Sequence, residues 1–182
     1  KMISETLVEK FGLKKFREPQ EKIIKGALKN YDQLVILPTG TGKSLCYQLA
    51  AVLGEGSTIV ISPLKSLIHD QVQGLKKKNI SSIVISGESN KIELNLKRRE
   101  LEEVIYKLIY TTPETMAKNI IMVEILNKLN KRGKLERFVI EEADCISSRG
   151  HDFRSNYWDL RDIRRIYKNI PIIVLTATAT KK

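Results

Sequence analysis

Cysteine and histidine are both scarce in the 182 residues: Cys46 and Cys145, His69 and His151. They form no CxxC, HxxxH or mixed cluster, so a zinc site is not expected. Two scattered cysteines also exclude a disulfide scaffold. They fit a reducing, intracellular compartment, with each thiol expected to be a small core residue. Long apolar runs are missing too. None approaches the roughly 20 residues that cross a bilayer, so no membrane partner is expected. The N-terminal KMISETLVEKFGLKKF is charged and amphipathic, without the unbroken apolar stretch of a secretory signal. There is no internal repeat, no low-complexity tract and no linker rich in Pro, Gly or Ser, so residues 1–182 are expected to form one domain.

Acidic residues are in deficit. Against 32 Lys+Arg stand 21 Asp+Glu, a net charge of +11. Such an excess favours a polyanionic partner over the alternative, a solvated basic surface with no partner. Basic clusters lie at Lys76–Lys78, at Lys97–Arg99 and along Lys128–Lys134.

What is present is alternation. Apolar runs of strand length occur at Leu34–Leu37, Thr58–Ile61, Ser82–Ile85, Leu108–Tyr110, Phe138–Ile140 and Ile172–Leu175. Helical spacing fills the gaps at Ser44–Leu53, Leu64–Lys77, Ile92–Val104, Glu114–Asn130 and Tyr157–Tyr167. Two further helices are expected near Ser4–Phe11, with Ser4 as N-cap, and Pro19–Leu28. Continuous apolar strands alternating with helices predict an α/β fold, a mainly parallel sheet with helices on both faces. Ligands of such sheets bind beyond the C-terminal ends of the strands.

Two segments satisfy that placement. In LVILPTGTGKSLCYQLAAVL an apolar strand meets a glycine-containing loop and then an apolar helix. Glycines let the backbone N–H groups close on phosphate oxygens, and the helix N-terminus adds positive potential. Thr39, Gly40, Thr41, Gly42, Lys43 and Ser44 are therefore candidate ATP ligands. Lys43 would reach the β- and γ-phosphates, and the Ser44 hydroxyl would ligate Mg²⁺. The strict phosphate-loop pattern asks for glycine five residues before Gly42, where this chain has Leu37. In FVIEEADC two carboxylates follow another strand. Glu141 is expected to support the Mg²⁺ shell through water, and Glu142 to polarise the attacking water, as hydrolysis requires. Lys43 and Glu142 are thus the candidate catalytic residues.

These segments sit in an ordered set. FGLKKFREPQ, LPTGTGKSLCYQ, ISPLKSLIHDQV, YTTPE, FVIEEADCISSRGHDFRSNY and LTATAT resemble, in that order, the successive motifs of the first RecA-like lobe of RecQ-family DNA helicases in superfamily 2. The resemblance runs from about Phe11 to the end. It implies a RecA-like P-loop NTPase fold and ATP-dependent 3′-to-5′ unwinding in DNA repair, recombination or replication. Single-stranded and branched DNA would be the partners, and the compartment would be the nucleus if the source is eukaryotic. It also implies residue roles. Arg17 and Gln20 would contact adenine, with Leu13 and Lys14 packed near the base. Thr176 and Thr178 would couple nucleotide state to lobe movement. Arg149, His151, Asp152, Phe153 and Arg154 would link single-stranded DNA to hydrolysis, aromatic faces stacking on bases and arginine holding phosphate.

The chain departs from the family pattern in three places: Glu141 where aspartate is usual, Asp144 where histidine is usual, and Arg149 where tryptophan is usual. The first adds a methylene beside an ion that demands near-ideal octahedral geometry. A degenerate nucleotide- and nucleic-acid-binding module with little hydrolysis therefore stays open. So does a DEAD-box RNA helicase lobe, although SPLKSL and TATAT stand where that family carries PTREL and SAT. A second helicase lobe, implied by the resemblance, is expected outside this chain, and the isolated piece is expected to bind nucleotide weakly and hydrolyse it poorly.

Overall fold

All six apolar runs become strands of one parallel sheet in a computed structural model, which describes residues 2–38, 42–87, 90–141 and 160–177. The strands are β1 (Gln33–Leu37), β2 (Ser57–Ile61), β3 (Ser82–Val84), β4 (Leu108–Thr111), β5 (Leu135–Ile140) and β6 (Ile172–Ala177). Their order across the sheet is β1-β6-β5-β2-β4-β3. The central strands β2 and β4 are buried along their whole length, whereas β1 alternates, with Leu34 and Ile36 exposed and Val35 and Leu37 buried. The central strands are thus covered on both faces, whereas the edge strand β1 is covered on one, although its sequence is as apolar as theirs.

Helices α3 (Lys43–Leu53) and α4 (Lys65–Lys77) lie on one face. They pack Cys46, Tyr47, Ala50, Ile68, Val72 and Leu75 against Val60, Tyr110, Val139 and Ile173. On the other face Leu94 and Leu101 of α5 (Lys91–Glu103) and Met122, Ile125 and Leu126 of α7 (Ile120–Lys131) meet Ile59, Ile109 and Phe138, with Met116 of α6 (Pro113–Lys118) and Ile163 of α8 (Leu160–Ile166) beside them. Each fully buried Leu or Ile of these layers contributes about 1.5 to 3 kcal/mol. A smaller cluster, Leu7, Ile24, Leu45 and Leu49, docks α1 (Met2–Phe11) and α2 (Gln20–Leu28) onto α3.

Two expectations are corrected. Ser4 does not cap α1, which already begins at Met2 and carries Ser4 in its first turn. The segment Glu114–Asn130 is two helices rather than one. Asn119 closes α6 and caps α7, its side-chain oxygen accepting the Met122 N–H at 3.1 Å. An asparagine competes with the helical backbone for its hydrogen bonds, so apolar periodicity can run through a break of this kind.

Small polar contacts fix the strand starts. Asp32, just before β1, accepts from Arg164 at 2.7 Å and from the Ile172 N–H at 2.9 Å, joining the N-terminal ends of β1 and β6 to α8. At the start of β2 the backbone passes so close to β5 that a Cβ on Gly56 would sit 2.2 Å from the Lys134 carbonyl oxygen.

Candidate functional site

Parallel strands end together, and the sequence candidates gather where they end. Gly42, Lys43 and Ser44 follow β1, Thr176 lies near the end of β6, and Glu141 follows β5. Since β6 pairs with both β1 and β5, Thr176 is placed on the strand that separates the loop from the carboxylate. It stands opposite Ile36 in the register and is half-buried.

Gly42 is the N-cap of α3 with φ of 74°, a left-handed conformation that L side chains rarely adopt. Lys43 and Ser44 then open the helix and remain half-buried. Thr39, Gly40 and Thr41 lie outside the described residues, as do Glu142, Asp144, Arg149, His151, Asp152, Phe153, Arg154 and Thr178.

The N-terminal segment reaches the loop through Gln20. Its side chain is 3% exposed. The amide Nε2 donates to the Gly42 carbonyl at 3.1 Å, and Oε1 accepts the Arg17 N–H at 2.7 Å. Gln20 thus fastens α2 to the loop, a contact not foreseen from sequence. Arg17, Leu13 and Lys14 precede it along an exposed stretch.

Glu141 is 5% exposed. Its N–H donates to the Ile61 carbonyl at 2.9 Å, which pins the backbone between β5 and β2. Oε2 accepts from the Tyr47 hydroxyl at 2.7 Å and from Gln71 Nε2 at 3.2 Å. The Tyr47 hydroxyl also lies 2.6 Å from Gln71 Oε1 and 3.1 Å from the Tyr110 hydroxyl, to which Gln48 Nε2 donates at 3.1 Å. Burial pushes both phenols up, with the Glu141 charge adding to the rise, so both stay protonated donors. Ser44 and Tyr47 are three residues apart on α3 and share a face of the helix. The residue that holds the carboxylate thus lies one helical turn along α3 from Ser44. Oxygen donors of this kind, a hydroxyl and a carboxylate, fit a hard cation such as Mg²⁺.

None of the four residues of this network, Tyr47, Gln48, Gln71 and Tyr110, was singled out from sequence. The available signal was a polar Tyr-Gln pair, Tyr47-Gln48, set among the apolar residues of SLCYQLAAVL. Buried tyrosine hydroxyls and glutamine amides require partners, so such a pair implies a polar cluster within the core. By contrast Cys46, the neighbour of Tyr47, is inert. Burial raises its thiol to about 11.

Along the same edge of the sheet, beyond β3 and β4, Lys65, Ser86, Gly87, Thr112, Glu114 and Thr115 line a cavity of about 400 Å³. The Thr115 hydroxyl accepts the Gly87 N–H at 2.9 Å and meets Thr112 Oγ1 at 2.8 Å, which fixes the shape of its floor.

Comparison with known proteins is consistent with this layout. The DEAD/DEAH box helicase family model matches residues 17–182. The chain is 45% identical to the ATP-dependent DNA helicase hus2/rqh1 of Schizosaccharomyces pombe, covering 96% of this chain and 14% of that protein. It is 46% identical to the ATP-dependent DNA helicase Q-like 4B of Arabidopsis thaliana (93% and 15%) and 42% identical to the RecQ-like DNA helicase BLM of Xenopus laevis (96% and 13%). The chain thus spans between 13% and 15% of the length of these relatives. Among solved structures, the DUF1998 helicase MrfA bound to DNA and AMPPNP superposes with a TM-score of 0.73 at 18% identity, over 98% of this chain and 26% of that one, a likeness of fold.

Proposed function

The chain belongs to the DEAD/DEAH box helicase family, and from that premise we propose that it is the ATP-binding lobe of a RecQ-type, ATP-dependent 3′-to-5′ DNA helicase. The observation that carries this is the pairing of a left-handed Gly42 at the start of α3 with a buried Glu141 carboxylate that Tyr47 of the same helix holds. Loop N–H groups and Lys43 bind the phosphates of ATP. Ser44 and Glu141 would hold Mg²⁺, which supplies charge neutralisation at the phosphates. Glu142, next along the chain, orients the attacking water. Arg17, Gln20, Leu13 and Lys14 serve the base end of the nucleotide, where Gln20 already braces the loop.

DNA is the proposed polyanion, single-stranded or branched. The net charge of +11 and the cavity beyond β3 and β4, with Lys65 and two threonine hydroxyls, supply phosphate contacts. Arg149, His151, Asp152, Phe153 and Arg154 sense the strand, and Thr176 and Thr178 pass the nucleotide state to a second lobe. The relatives are named DNA helicases, which favours DNA over the RNA-helicase alternative.

The test is DNA-stimulated ATP hydrolysis by the full-length polypeptide. Glu142→Gln is expected to retain ATP binding and lose turnover by 100-fold or more, in the range typical of removing a proton-handling side chain, about 10² to 10⁴. Unchanged turnover in Glu142→Gln would remove the assigned water-orienting role, and failure of the wild type to bind ATP would remove the whole proposal.

A further inference from the structure

Glu141 sits where a metal-supporting carboxylate belongs, yet its Oε2 is committed to protein donors. Tyr47, Gln71 and Glu141 form a closed triangle with edges of 2.7, 2.6 and 3.2 Å. The three side chains come from three elements: α3, which starts at the phosphate loop; α4, which follows β2; and the end of β5. Behind the triangle, Gln48 and Tyr110 supply a second layer, so Tyr47 is itself held by a hydrogen-bonded neighbour. Burying a carboxylate is costly unless its hydrogen bonds are made. Here Tyr47 and Gln71 both donate to Oε2.

The geometry also bears on side-chain length. The Glu141 backbone is fixed by its bond to Ile61. From that anchored position an aspartate carboxylate would stop one methylene short, about 1.5 Å of a C–C bond, and a 2.7 Å contact to Tyr47 would open beyond hydrogen-bonding distance.

We propose that Tyr47 and Gln71 are positioning residues that hold the Glu141 carboxylate for the divalent cation of the bound nucleotide, and that the glutamate is matched to them by its length. The extra methylene is then not a defect that slows a standard site. It is the arm by which this site's carboxylate is locked in place. Partners that orient a metal ligand typically change metal affinity by about 10- to 100-fold when removed. This inference rests on the nucleotide-binding reading of the site.

The experiment is titration of a fluorescent ATP analogue with the full-length polypeptide, in EDTA and across a Mg²⁺ series. It uses wild type, Tyr47→Phe, Gln71→Leu, Glu141→Asp and the Tyr47→Phe/Glu141→Asp double variant. Tyr47→Phe keeps the buried ring and Gln71→Leu keeps most of the side-chain volume at a half-buried position, and thermal melts check the folding of both. Tyr47→Phe and Gln71→Leu are each expected to raise the Mg²⁺ concentration at half-maximal effect by about 10-fold while keeping the wild-type affinity in EDTA, and Glu141→Asp to raise that concentration at least as much. The double variant is expected to be no worse than Glu141→Asp alone, because the aspartate no longer touches Tyr47. An unchanged Mg²⁺ midpoint in both Tyr47→Phe and Gln71→Leu overturns the proposal. So does an equal loss of affinity in EDTA, which would mark a merely structural role. Absence of any analogue binding by the wild type overturns the nucleotide reading on which the proposal rests, and is seen before any variant is compared.

Discussion

At Gly42 two constraints coincide. The backbone has φ of 74°, and a Cβ would stand 2.4 Å from Gln20 Nε2. Left-handed backbone costs an L residue about 1 to 2 kcal/mol, and the clash would also push Gln20 off the Gly42 carbonyl. Gly42→Ala is therefore expected to weaken nucleotide binding by 10-fold or more, at about 1.4 kcal/mol per factor of ten, with a smaller loss of thermal stability. Isothermal titration beside a melting curve separates the two effects. Unaltered affinity would show that the loop does not need this conformation. The neighbouring sequence told less. The glycine spacing pointed to phosphate binding, but nothing in it announced that the glutamine 22 residues earlier would be its brace.

At the scale of elements, Asn119 decides where α6 ends and α7 begins. Its side chain accepts the Met122 N–H at 3.1 Å. Asn119→Ala is expected to cost about 1 kcal/mol, the usual price of a lost N-cap, and Asn119→Asp to cost far less. Urea denaturation of the three proteins checks both, and equal stability of all three would mean the cap contributes nothing. This junction also shows what the sequence could and could not reveal. Every strand was legible, because strands buried on both faces read as apolar runs, and the exposed Leu34 and Ile36 of β1 were apolar enough to join them. The helix break was not legible, because Met116, Ile120 and Val123 keep the i, i+4, i+7 apolar spacing across it in the sequence. The site was legible where backbone chemistry dictates residue type, as at Gly42-Lys43-Ser44. It was illegible where residues far apart in sequence converge, as Tyr47, Gln71, Tyr110 and Glu141 do, since sequence spacing carries no record of the sheet order that joins them.

For the molecule as a whole, alkaline pH is the exposed flank of its stability. Burial raises the Cys46 thiol from 9.0 to about 11 and Tyr167 from 10.0 to about 12, and it holds Tyr47 and Tyr110 up as well. The folded state thus binds these protons more tightly than the unfolded chain. Stability from such groups is complete below the unfolded value and declines as pH rises through the folded one. For Cys46 alone this corresponds to on the order of 2 to 3 kcal/mol. The melting temperature is expected to hold up to about pH 9 and to fall between pH 9 and 11, with tyrosinate absorbance lagging behind that of the urea-unfolded chain. Melts across that range, with and without Cys46→Ala, provide the check. A melting temperature that rises across it would refute the assignment.

The bond between Gln20 and Gly42 has a consequence for the N-terminal helices. Whatever tightens the loop also tightens the grip on α2, and through Ile24 and Leu7 on α1. Coupling of this kind is reciprocal. Occupancy of the loop would then be readable at the opposite end of the lever, as slower protease cleavage in the exposed stretch around Lys14 and Lys15. Deleting α1 would in turn loosen the hold on phosphate without removing a single residue that touches it.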